Sequence, residues 1–154
     1  TFKNMTVTNT IAHGRGIQTS YAKVELMDVV LKGCSVCALD VTDHNTPETT
    51  VVVATRCEFA NNSIGAYISG SVTSCTFKNC VFHDNSDDGI FVAGTGTIHL
   101  HGEDTAIHSN SAHGMSVYFG DVVIHLPSHH NTFYNNREGD RHTSHGGTIT
   151  NVGE

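Results

Sequence analysis

Ten of the chain's twelve histidines lie from His83 onward, which makes the C-terminal half chemically richer than the N-terminal half. Neutral imidazole is a common ligand for transition metals, and it is also the side chain whose charge changes near physiological pH. His99 and His101 flank Leu100. On a strand this spacing sends both imidazoles to one face and Leu100 to the other. His125, in a second Ile-His-Leu, reads as the equivalent of His99 one repeat later. The three form a candidate site for Zn²⁺ or Cu²⁺; the plainer account is a solvated strand face. His83 and His108 form a second column that Tyr134 continues, and with Arg137 and Arg141 they make a candidate ligand-binding surface. Protonating all twelve histidines would bring the formal charge from −7 to +5, so the surface field reverses between roughly pH 7.5 and 5.5.

The five cysteines, Cys34, Cys37, Cys57, Cys75 and Cys80, are an odd number and all fall between residues 34 and 80. Cys34-Ser-Val-Cys37 has the spacing of a zinc or redox pair, but no second such pair accompanies it. Buried free thiols are the expected state.

The elements that position these groups come from an internal repeat. An apolar residue followed three positions later by Asn recurs as Phe59/Asn62, Phe82/Asn85, Ile107/Asn110 and Phe133/Asn136, at intervals of about 25 residues. A small residue and alternating apolar positions follow: Gly65-Ala-Tyr-Ile68, Gly89-Ile-Phe-Val92 and Gly114-Met-Ser-Val117, with looser copies at Gly16 and Ala38. A further strand opens each coil, at Lys23, Thr50, Ser71, Gly96 and Asp121. Three short strands per period predict an all-β fold, a right-handed, single-stranded parallel β-helix of about six coils. Equivalent residues then stack at about 4.8 Å. Asn62, Asn85, Asn110 and Asn136 become a structural ladder of buried amides. Cys57 and Cys80 each precede their Phe by two and share an inward column. Helical repeats are excluded because the apolar alternation is by two. An ice-binding surface is disfavoured because no continuous Thr-x-Thr column exists. Two segments break the period and are expected as edge-decorating loops, Asp43–Glu48 and Arg137–Ser144.

Composition sets outer bounds. A chain of 154 residues fits a single domain spanning 1–154, expected to belong to a longer protein. The net charge of −7, with only eight Lys and Arg, excludes a nucleic-acid surface. No apolar run approaches the roughly 20 residues needed to span a bilayer.

The coils resemble the parallel β-helix repeats of the pectin-lyase-like superfamily across essentially the whole chain. That superfamily includes polysaccharide lyases, polygalacturonases, alginate epimerases, phage tailspikes and non-enzymatic surface proteins. The histidine-rich later segments are also similar to uncharacterised β-helix proteins of marine algae and large DNA viruses. Asp87-Asp88-Gly89-Ile90 followed by His113-Gly114-Met115-Ser116 looks like the paired-Asp and His-Gly elements of polygalacturonases. The resemblance implies a catalytic cluster of Asp87, Asp88, His113 and His145, with His145 extending the Asp88–His113 column. In such a cluster carboxylates protonate the leaving oxygen and activate water. The family's Asn-Thr-Asp element is missing, since the equivalent coil reads Asn62-Ser-Ile-Gly65, and so is its downstream Arg-x-Lys. The local account is that Asp-Asp-Gly is turn chemistry.

The leading expectation is therefore a non-catalytic binding or structural domain of a larger extracellular, cell-surface or virion assembly. Its expected partner is a polysaccharide or glycan, or another protein chain that covers the open β-helix ends. The alternative is a polysaccharide hydrolase, lyase or epimerase that uses the Asp87/Asp88/His113 region. No cofactor is assigned. A transition metal on the imidazoles and Ca²⁺ both stay open, although acidic clusters for Ca²⁺ are thin.

Overall fold

The computed structural model describes residues 1–43, 48–71, 73–125 and 132–153, and every regular element among them is a β-strand. The chain opens with β1 (Phe2–Val7) and β2 (Arg15–Thr19), then β3 (Lys23–Lys32) and β4 (Cys37–Val41). Three-strand coils follow. The first is β5 (Thr50–Thr55), β6 (Glu58–Ala60) and β7 (Ile64–Ile68), and the second is β8 (Thr73–Lys78), β9 (Val81–His83) and β10 (Ile90–Val92). Then come β11 (Thr97–His101), β12 (Ala106–His108) and β13 (His113–Val117), followed by β14 (Asp121–His125), β15 (Phe133–Tyr134) and β16 (Gly139–Thr143). The last strand is β17 (Thr148–Val152). A six-stranded sheet in the order β16-β13-β10-β7-β4-β2 marks the six coils. An eleven-stranded sheet carries the other strands, joined because β3 pairs with β5 through its first half and with β6 through its second.

Stacking in register turns sequence alternation into columns. Leu26, Ala54, Phe77, Leu100 and Ile124 form one inward column, and Leu31, Phe59, Phe82 and Ile107 form another, continued by Phe133. Phe59 and Phe82 stack at 4.4 Å and 5°, and the Phe77 ring meets both edge-on. Such pairs add to the area they bury. The five cysteines are free and buried, with Cys57 and Cys80 in the core cluster as expected. Burial pushes the Cys75 thiol up to about 12, and burial beside Asp40 pushes Cys37 up to about 12, so neither is a reactive thiolate.

The asparagine ladder is present. Asn62, Asn85 and Asn110 each donate a side-chain N–H to the next amide oxygen along the column, at 3.2, 2.9 and 2.9 Å. The coil steps there are 23, 25 and 26 residues. Each ladder residue directly follows a residue in the left-handed region, Asn61, Asp84, Ser109 or Asn135, with φ of 53–56°. A second corner repeats the device at Asp28, Arg56, Asn79 and Gly102. The glycine of each Gly-x-x-x signature has a different cause, since it lies where coils approach closely. A Cβ on Gly65 or Gly89 would sit 2.4 or 2.6 Å from the carbonyl oxygen of the equivalent glycine in the next coil.

One expectation about the periphery needs correction. Arg137–Ser144 is not simply a loop, because residues 139–143 form β16, parallel to β13. The strand escapes the apolar pattern because its inward positions are Arg141 and Thr143, which follow Met115 and Val117 in their columns. Arg141 therefore lies at the end of the core, exposed, with its guanidinium carbon 4.7 Å from the centre of the Phe133 ring. The loop expected at 43–48 lies mostly outside the described residues.

Candidate functional site on the outer face of the six-stranded sheet

Outward positions on a solvated parallel sheet are normally polar. On the six-stranded sheet the outward column runs Gln18, Asp40, Tyr67, Phe91, Ser116 and His142. Its first part is ionic. Asp40 is buried and pairs with Arg15 at 2.5 Å; burial raises its pKa and the guanidinium opposes that shift. From Tyr67 onward the face becomes aromatic. Tyr67 and Phe91 stack at 5.5 Å and 4°, and Phe91 meets Tyr118 edge-on at 5.0 Å. Tyr118 in turn lies 6.0 Å from His142 and 5.7 Å from His145. His113 is 4.8 Å from His142, and exposed Phe119 is 5.3 Å from His145. Seven rings thus form one continuous, partly exposed surface across four coils.

Asp88 and His113 sit at the border of this surface and occupy equivalent positions, as expected. The Asp88 Oδ1 accepts the His113 backbone N–H at 2.8 Å and lies 3.6 Å from its Nδ1. Glu138 approaches the same Nδ1 at 3.9 Å. Burial raises the Asp88 pKa, against the lowering effect of hydrogen bonds from His113 and Ser116. Asp87 is exposed. His145 does not extend the column, because Gly139 is the register partner of His113. With 139–143 forming a strand, His145 falls in the following turn, where its Nδ1 lies 2.6 Å from the Ser144 hydroxyl.

The other two groups lie on the eleven-stranded sheet. His83, His108 and Tyr134 stack as expected, with ring centres 5.1 and 4.5 Å apart. His83 also contacts Glu58 at 3.0 Å and Asp84 at 2.6 Å. Arg141 is on the other sheet and does not join them. His99, His101 and His125 come together, but the register pairs His125 with His101 and places Val123 opposite His99. The reason is that β14 starts at Asp121, opposite Thr97, so Ile-His-Leu is shifted by two residues between coils.

Sequence reasoning passed over Tyr67, Phe91, Phe119 and His142. The signal for the first two was legible: in Gly-Ala-Tyr-Ile and Gly-Ile-Phe-Val the middle aromatic must point outward once its neighbours point in. His142 needed the β16 register, which the polar last coil conceals.

The family model described as right-handed β-helix region matches residues 1–153, and the chain belongs to that family. The match agrees with the parallel coils described above and with the pectin-lyase-like resemblance, and it establishes the fold without a reaction. Neither the curated proteins nor the solved structures contain a match to the chain.

Proposed function

We propose that this chain is a non-catalytic binding domain that docks a polysaccharide on the outer face of its six-stranded sheet, as part of a larger surface assembly. The observation that carries this reading is the parallel-stacked Tyr67–Phe91 pair on a solvent-facing column, extended by Tyr118. Pyranose rings present flat C–H faces, and the electron-rich face of an aromatic ring attracts such polarised hydrogens. Rings fixed on a parallel sheet have little freedom to lose on binding, which favours recognition of an extended chain. The histidines at the C-terminal end of the face add hydrogen-bonding groups.

The enzymatic reading rests on Asp88 and His113. The raised Asp88 pKa has the direction a general acid needs. Against it, the Asp88 side chain is only 7% exposed and holds the His113 backbone, the role of a turn-fastening carboxylate. Titration calorimetry against polygalacturonate, alginate and neutral glycans separates the two. Binding is expected to weaken by about tenfold or more in Phe91→Ala and to be retained in Asp88→Asn, without product formation. Turnover that disappears in Asp88→Asn would replace the binding domain by an enzyme.

A further inference from the structure

We propose that His99, His101 and His125 bind a divalent transition metal on the outer face of the eleven-stranded sheet, with Zn²⁺ as the reference ion. This site lies on a different sheet from the aromatic surface and does not depend on it. One candidate nitrogen from each of the three rings lies within 4.8 Å of the others. The His99 Nδ1 is 3.0 Å from the His125 Nε2, and the His101 and His125 rings stack at 3.8 Å and 12°.

The backbone supplies this convergence. His101 and His125 are register neighbours on β11 and β14, and His99 precedes His101 by two on the same face. Tetrahedral coordination at a Zn–N distance of about 2.0–2.1 Å requires nitrogens roughly 3.3 Å apart. The 3.0 Å pair and the 4.8 Å outer limit of the trio bracket that spacing. All three residues are partly buried, so their rings begin with restricted freedom. Without a metal the 3.0 Å contact can be a hydrogen bond only if one ring donates and the other accepts. A cation engages all three nitrogens at once.

Three neutral imidazoles leave one tetrahedral position open and the full dipositive charge uncompensated. A water molecule or an anionic oxygen ligand would complete the sphere. A shallow groove of about 400 Å³ reaches His99 past the hydroxyls of Ser74, Thr95 and Thr97, giving an oxygen-rich approach to that position.

Equilibrium dialysis of the whole chain with Zn²⁺ tests the site, with Co²⁺ absorption as a second readout. The expected result is a saturable Zn²⁺ site that weakens at least tenfold in His99→Asn, His101→Asn and His125→Asn separately. His13→Asn, a substitution at an exposed turn, is expected to leave it unchanged. Bound Co²⁺ should show the intense visible bands of a tetrahedral site in the wild type, and these bands should vanish in the three variants. Circular dichroism of each variant establishes that the coils are intact. Absence of saturable binding, or binding and Co²⁺ bands that persist in the trio variants, would overturn the proposal. A wild-type imidazole spectrum in which Zn²⁺ shifts other histidines and leaves these three unmoved would do the same without any variant.

Discussion

Asn85 is fully buried, and its amide is saturated by four hydrogen bonds to three neighbours. Its oxygen accepts the backbone and side-chain N–H groups of Asn62, while its own NH₂ donates to the Phe59 carbonyl and to Asn110. Removing this side chain orphans buried groups in two coils at once, a cost that exceeds the loss of one ordinary hydrogen bond. Asn85→Ala is expected to lower stability by about 2–4 kcal/mol in urea unfolding; a loss within experimental error would show that the ladder contributes little. At the same scale, burial and the charge of His83 depress the His108 pKa, with Asp84 opposing. The native state therefore binds the proton less readily than the unfolded chain, whose value is near 6.5. The stabilisation is complete above that pH and is lost as the pH falls through the depressed native value. Thermal unfolding is expected to show this acid-side decline, and His108→Asn should reduce its slope.

The corners between strands carry the second layer of the design. Ser109 sits at φ 56° in the column otherwise occupied by Asn61, Asp84 and Asn135. Asn and Asp tolerate that region, and β-branched residues do not. Ser109→Val is expected to cost about 1–2 kcal/mol, measurable in the same urea assay, whereas Ser109→Asn should be close to neutral. Strand elements were legible in the sequence wherever an apolar column repeats, as at Phe59, Phe82 and Ile107. They were not legible in the last coil, where Arg141 and Thr143 replace the apolar signal at inward positions of β16. That one hidden strand caused His145 to be placed in the Asp88–His113 column. The shift of Ile-His-Leu between β11 and β14 was equally hidden, because His-Leu-His and Ile-His-Leu alternate identically and only the strand start determines the register.

Over the whole molecule, parallel coils convert a one-dimensional repeat into separate faces with separate chemistry. The six-stranded sheet shows solvent an ionic patch that grades into aromatic rings, and the eleven-stranded sheet carries the two histidine groups. The fold was readable because the apolar columns repeat through every coil but the last. The binding face was not, because its residues vary from coil to coil and acquire meaning only once the columns are aligned. The central claim, that the aromatic face is the docking surface, is tested most directly by nuclear magnetic resonance shift mapping during titration with an oligosaccharide from a bound polysaccharide. Perturbations are expected to centre on Tyr67, Phe91, Tyr118 and His142. Perturbations centred instead on His83, His108 and Tyr134, with the aromatic face unmoved, would contradict it.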